Sequence, residues 1–222
     1  MTKVMILNAS PRKNCNTAKM LKEAARGATE TGAEVEYIDL VSLNYKGCMS
    51  CFACKVKGNK TGGLCAFKDD LRPVLEKILQ ADALIVGTPI YYSYPTGMFR
   101  NLMERLLFAV MTYSKGDKPN MPRLLLEKKL ATGLIYTMNC TPERAEQFNY
   151  PAILAPDNNY MELYFGHCEV LNAFNTYQFN DYSKYMADIV DVAEKEHQKE
   201  TQFPKDLQAA YEMGKRLATM KL

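Results

Sequence analysis

Several signatures are missing from this chain of 222 residues, and each absence narrows what it can be. No apolar run is long enough to span a bilayer, so no membrane partner is expected. No segment at the N-terminus runs from positive charge to apolar to small residues, so a secretory leader is not expected either. Neither Gly-x-x-x-x-Gly-Lys-Ser/Thr nor a Gly-x-Gly-x-x-Gly after the first apolar run occurs. Those are the glycine loops of nucleoside-triphosphate and dinucleotide sites. No charge of one sign dominates: the net charge is +3 with a sequence pI near 8.4. Lys and Arg are scattered apart from Lys55, Lys57 and Lys60, so nucleic acid is not an expected partner. Histidine occurs only twice, as the isolated His167 and His197, and neither has a neighbour that suggests proton transfer. Internal repeats, low-complexity stretches and linkers are also absent.

What is present begins with Val4–Asn8, a short apolar run that ends in the loop Ala9-Ser10-Pro11-Arg12-Lys13-Asn14-Cys15. Asn16-Thr17-Ala18 then opens a helix-forming segment. A strand that ends at a helix N-terminus presents unbonded backbone N–H groups to an anion. Ser10, Asn16 and Thr17 add side-chain donors, and Arg12 or Lys13 adds charge. The alternative is an ordinary strand–loop–helix turn capped by Asn16 or Thr17. A cysteine phosphatase is excluded, because that chemistry needs an arginine six residues after Cys15 and the chain has Leu21 there.

With 47% hydrophobic residues the chain can bury a substantial core, and one domain over residues 1–222 is expected. Seven cysteines, an odd number, fit a reducing cytoplasm better than a disulfide framework. Strand and helix patterns alternate, as an α/β fold requires. Strands are predicted at 4–8, 34–40, 83–87, 130–137 and 169–177. Helices are predicted at 17–29, 70–80, 96–112, 184–195 and 206–220. Ala83–Gly87 is apolar on both faces, the mark of a central parallel strand. An excursion is expected at 113–126, and 139–159 gives no clear pattern.

A second segment follows the central strand: Gly87-Thr88-Pro89-Ile90-Tyr91-Tyr92-Ser93-Tyr94-Pro95-Thr96-Gly97. Two prolines stiffen it, and its tyrosines offer flat amphipathic surfaces. In an open parallel sheet, ligands sit beyond the carboxyl ends of the strands where strand order reverses. There one loop can hold a phosphate while the other meets a planar ring; taken alone, the second loop's tyrosines can equally well only pack.

Taken together, Ser10-x-Arg12 with Asn16-Thr17, then Gly87-Thr88-Pro89-Ile90-Tyr91, then Gly97 before a helix with Asn101 and Arg105, resemble the flavodoxin-like NAD(P)H-dependent FMN reductases. The similarity includes their Cys-rich iron–sulfur flavoprotein branch and covers most of residues 1–140. It implies a flavodoxin-like, doubly wound five-stranded parallel sheet in order 2-1-3-4-5 with helices on both faces. It also implies that Ser10, Arg12, Asn16 and Thr17 hold the FMN phosphate, with Ala18 beside them. Thr88, Pro89, Ile90, Tyr91 and Tyr92 would border the isoalloxazine ring. Thr137-Met138-Asn139-Cys140 would form the third loop, where relatives often carry glycine and this chain has none. The resemblance thus implies a cytoplasmic FMN-dependent oxidoreductase. It would pass electrons from NAD(P)H or a protein donor to a quinone, a free flavin or a redox partner, as a homodimer or homotetramer. A non-enzymatic flavodoxin-type carrier, although such carriers are usually strongly acidic, or an iron–sulfur flavoprotein electron-transfer protein is the alternative. A thiol or metal module without flavin is a further one.

Cys48, Cys51 and Cys54 stand at Cys-x-x-Cys-x-x-Cys spacing, with Cys65 after ten further residues. Four thiolates on one loop suit a [4Fe-4S] cluster. Structural zinc, a metal-free form of the motif and plain reduced thiols are the other readings. Lys55, Lys57 and Lys60 inside the gap would favour the reduced state of an anionic cluster. Cys140 and Cys168 read as buried thiols.

Overall fold

A computed structural model of the chain describes residues 1–116 and 122–222. Its frame is a run of long strands, each leading to a helix. β1 (Lys3–Asn8) leads to α1 (Asn16–Glu30), and β2 (Glu34–Asp39) leads through a long connection to α2 (Leu71–Gln80). β3 (Ala83–Tyr91) turns into the two-residue β4 (Tyr94–Pro95) and then α3 (Gly97–Val110). A hairpin of β5 (Met111–Lys115) and β6 (Pro122–Leu124) precedes β7 (Leu130–Thr137). Then come α4 (Pro142–Gln147), α5 (Tyr150–Phe165), β8 (Gly166–Ala173), α6 (Val192–Thr201) and α7 (Phe203–Thr219).

The five long strands pair in parallel in the order β2-β1-β3-β7-β8, and β4 adds an antiparallel sixth strand to β3. The expected order 2-1-3-4-5 counted only the long strands. The short β4, β5 and β6 intervene in the chain between β3 and β7. β7 is buried along all eight residues, as a strand covered on both faces must be.

Alternation along the strands feeds two cores. Val4, Ile6, Ala83, Ile85, Ala131 and Ile135 face α1 and α7 on one side. Met5, Leu7, Leu84, Val86, Leu130 and Leu134 face α2, α3 and α5 on the other. The approach of α1 to α7 depends on two glycines. A Cβ on Gly27 would lie 2.0 Å from the Tyr211 carbonyl oxygen, and one on Gly214 would lie 1.9 Å from that of Ala24. The two backbones therefore touch where no side chain fits.

Two expectations are corrected here. The last strand is Gly166–Ala173, not 169–177, because a left-handed Gly166 (φ +100°) ends α5 and starts the strand at once. The helix expected at 184–195 is α6 at Val192–Thr201, capped by Asp191, whose carboxylate accepts from the Glu194 N–H at 3.0 Å. The unreadable stretch 139–159 holds α4 and most of α5. Of the excursion expected at 113–126, residues 117–121 lie outside the described residues.

Candidate functional site

Three loops leave the carboxyl ends of β1, β3 and β7, and side-chain hydrogen bonds tie them together. Asn8, fully buried at the end of β1, donates to Asp39 Oδ1 at 2.8 Å and accepts from the Ser10 N–H at 3.1 Å. This turn fixes Ser10 as the chain leaves the sheet. Ser10 is buried, and its Oγ accepts from the Arg12 N–H at 3.2 Å. α1 starts with Cys15 at its N-cap and no side-chain cap. The N–H groups of its first turn, at Asn16, Thr17 and Ala18, therefore lack an intrahelical partner.

The helix comes close to the sheet because Gly87 has no side chain. A Cβ there would meet Leu21 Cδ1 at 2.8 Å and Thr17 Cγ2 at 2.9 Å. Thr17 is buried, and its hydroxyl pairs with that of Thr137 at 2.7 Å, which joins the first loop to the third. Thr96 joins the first to the second: its Oγ1 donates to the Ala9 carbonyl at 2.7 Å while capping α3 through the Phe99 N–H at 3.3 Å. Thr88 is buried, and its hydroxyl oxygen accepts from the Thr96 N–H at 3.2 Å. Its polar group thus holds the hairpin, while Pro89 and Ile90 continue β3 toward the site.

The segment read as a loop after the central strand is a β-hairpin, with Tyr91 opposite Tyr94. Tyr92 (φ 49°) and Ser93 (φ 70°) turn it in left-handed conformations, a geometry that asparagine and glycine adopt most easily. Tyr92 at its tip is fully exposed, and Tyr91 is exposed beside it.

Two predicted phosphate donors also reach across to the loop that follows β8. Arg12 Nη1 donates to the Gln178 carbonyl at 2.9 Å, and Asn16 Nδ2 to that of Tyr177 at 2.8 Å. The sequence expectation placed Tyr177 inside a strand and so missed this brace.

A cavity of about 350 Å³ opens beside these loops, with Ile90, Asn139, Cys140, Arg144, Tyr150 and Lys195 in its wall. That lies within the range of small-ligand sites. Lys195, on α6, is only 4% exposed. Its Nζ donates to the Asn139 carbonyl at 2.6 Å, to Asn139 Oδ1 at 2.7 Å and to the Thr176 carbonyl at 3.5 Å. Burial pushes its ammonium down to about 8, against the pull of Glu194 and Cys140. Sequence reasoning missed this lysine. The Asp191-x-x-Glu194 start of α6 could have revealed the helix, but nothing local marks the next residue as buried.

The four cysteines 48, 51, 54 and 65 are not brought into one ligand set. Among the described residues, no three His, Cys, Asp or Glu side chains are gathered to hold a metal ion. Cys51 is exposed while Cys54 is buried. Burial pushes the Cys54 thiol up, with Lys55 opposing and Cys65 and Cys48 near enough to add to the rise. Cys65 Sγ is held by Arg105 Nε at 2.9 Å. As placed, these residues do not fit a four-sulfur cage. Lys55 does not face a cluster either: its ammonium donates to the Phe108 and Met111 carbonyls at the end of α3. Cys140 and Cys168 are partly buried rather than fully so; burial raises both thiols, Cys168 to about 11.

The sequence profile of the NADPH-dependent FMN reductase family matches residues 2–129. An iron-sulfur flavoprotein of Archaeoglobus fulgidus is 39% identical over 109 residues, covering 49% of this chain and 51% of that protein. One from Methanocaldococcus jannaschii is 33% identical over 103 residues, 46% of this chain and 51% of its own. The chain thus spans about half the length of the curated relatives it matches. Among solved structures, an NAD(P)H:quinone oxidoreductase from Methanothermobacter marburgensis superposes with a TM-score of 0.70 at 16% identity, covering 97% of this chain and 98% of its own. An FMN-dependent NADH-azoreductase from Bacillus anthracis, solved in complex with FMN, gives 0.65 at 14% identity over 99% and 100%. These two share the fold. Among the described residues, no helix is long and apolar enough to cross a membrane.

Proposed function

The chain belongs to the NADPH-dependent FMN reductase family, and from that premise we propose that it is an FMN-dependent oxidoreductase. Its electron donor is a reduced nicotinamide or a protein, and its acceptor is a quinone, a free flavin or a redox protein. The observation that carries this reading is the convergence of the loops after β1, β3 and β7, locked by the 2.7 Å Thr17–Thr137 and Thr96–Ala9 hydrogen bonds. When bound, FMN supplies hydride acceptance from the nicotinamide and delivery of two electrons to the acceptor.

The chain's own residues bind and orient. The first-turn N–H groups of α1 at Asn16, Thr17 and Ala18, with the Ser10 hydroxyl, suit the phosphate dianion, and the positive end of the helix dipole faces it. Arg12 has guanidinium N–H groups left beyond the one given to Gln178. Pro89, Ile90, Tyr91 and Tyr92 would border the planar ring, and Thr137 and Asn139, at and just past the end of the neighbouring strand β7, would contribute from the third loop. No side chain is required as a nucleophile; the contribution to rate is distance and orientation. The names of the relatives support a cluster on Cys48, Cys51, Cys54 and Cys65. The cysteines as placed do not fit one, and no electron path is drawn through it. A homodimer or homotetramer in a reducing cytoplasm completes the proposal. The oligomer is supported by a groove between α3 and α5 in which Leu107, Phe108, Met111 and Tyr160 stand beside the charged Arg100, Glu104 and Asp157.

The test is a visible spectrum of anaerobically purified protein, followed by NADH or NADPH and then a benzoquinone. Flavin bands equivalent to one FMN per chain, bleached by nicotinamide and restored by quinone, are expected. Colourless protein that retains no added FMN overturns the reading. Iron and acid-labile sulfide assayed on the same sample decide separately what the cysteines hold.

A further inference from the structure

Burying an ammonium is costly unless its protons find acceptors. Lys195 is buried in the cavity wall, and two of its three acceptors belong to one residue, Asn139. We infer that Lys195 is a positioning residue: by holding the carbonyl and Oδ1 of Asn139, it turns that carboxamide so that its N–H groups face the cavity. The edge of the site at Asn139 then selects a ligand edge bearing hydrogen-bond acceptors, a ring carbonyl or an unprotonated ring nitrogen.

A lysine ammonium has three donors and no acceptor, so the amide atom facing it at 2.7 Å must be the oxygen. Which end of an asparagine amide is oxygen follows from such partners, and here the partner admits one answer. The nitrogen is then on the far side. Asn139 itself is exposed and lines the cavity, and its Nδ2 has no protein partner among the described residues. The backbone of this loop cannot swing to compensate. The Met138 N–H donates to Ala173 O at 2.9 Å, the Thr176 N–H to Met138 O at 3.0 Å and the Asn175 N–H to Cys140 O at 2.7 Å. The third loop carries no glycine, and Asn139 held by Lys195 presents a fixed side-chain donor there.

The proposal deepens the flavin reading and rests on it. The experiment is a titration of apo-protein with FMN, followed by quenching of flavin fluorescence, together with thermal unfolding of each apo-protein. Asn139→Asp is the decisive variant: it keeps an oxygen for Lys195 and removes the N–H donors. It is expected to hold or raise the melting temperature of the apo-protein while weakening FMN binding about tenfold. That is the scale expected when one hydrogen bond to a ligand acceptor is lost. Lys195→Met is expected to weaken binding comparably in the parent and much less in an Asn139→Ala background, a coupling that mere structural support would not show. Parent-like FMN affinity in Asn139→Asp, or equal effects of Lys195→Met in both backgrounds, overturns the proposal. Failure of the unaltered protein to bind FMN would instead overturn the function proposed above.

Discussion

Arg105 and Asp69 form a two-pronged ion pair, with Nη1 to Oδ2 at 2.8 Å and Nη2 to Oδ1 at 3.1 Å. Arg105 is 2% exposed in the middle of α3, and its remaining donors reach the Lys46 carbonyl at 3.0 Å, the Phe67 carbonyl at 3.1 Å and Cys65 Sγ. One side chain therefore clamps both ends of the Cys-rich connection to the helix. Burial alone would raise the Asp69 carboxyl, but the Arg105 hydrogen bonds and charge hold it below its ordinary value.

Replacing Arg105 by Met is expected to destabilise the protein by about 3–5 kcal/mol, because it leaves a largely buried carboxylate with only the Lys46 and Leu71 N–H groups and no countercharge, and takes the side-chain donor from two carbonyls. Urea unfolding measures this. The depressed Asp69 carboxyl adds a sign. Its contribution is present above the ordinary value of 3.8 and is lost as pH falls through the lower folded value. The variant's deficit should therefore shrink in acid below pH 4. A deficit under 1 kcal/mol, or one independent of acid, would show that Arg105 does not hold the connection.

A glycine in the α1–α7 contact and a glycine in open space predict opposite outcomes. Gly214→Ala places a Cβ 1.9 Å from a backbone oxygen that cannot rotate away, and overpacking of this kind costs about 2–3 kcal/mol. For a chain of this size that is a loss of roughly 5–10 °C in Tm. Gly97→Ala, at the start of α3 with nothing within 4 Å of its Cβ, should be neutral or stabilising by about 0.5 kcal/mol. Thermal unfolding by circular dichroism compares them directly.

Lys195 gives a pH dependence. Its ammonium titrates near 8 in the fold against an ordinary 10.5. Between those values the unfolded chain keeps a proton that the folded protein has released, so this group makes stability rise with pH. The groups around it are Asp191 and Glu194 on its own helix side and Cys140 and Arg144 across the cavity. The raised Cys140 and Cys168 thiols act in the opposite direction at alkaline pH, so the informative quantity is a difference. From pH 7.5 to 9.5, unaltered protein should gain about 2 kcal/mol over Lys195→Met. Parallel pH profiles would mean that the ammonium keeps its ordinary affinity for protons.

Local sequence pattern was enough to place the strand–helix alternation, the central strand at 83–87 and the polar loop of Ser10, Asn16 and Thr17 between β1 and α1. Those signals are local: apolar runs, helical spacing and polar residues where a strand gives way to a helix. Edge elements were harder to read. β8 is half-exposed, so its polarity does not mark where it starts, and Gly166 sets that boundary through a backbone conformation. Tertiary structure alone decided that Thr17 meets Thr137, that Arg12 and Asn16 are braced by residues 177–178, that Lys55 caps α3, and that Lys195 is buried against Asn139. Each of these joins groups tens to hundreds of residues apart. Whether a polar side chain faces water, a carbonyl or a ligand depends on which segment the sheet order places beside it, and no local pattern carries that information.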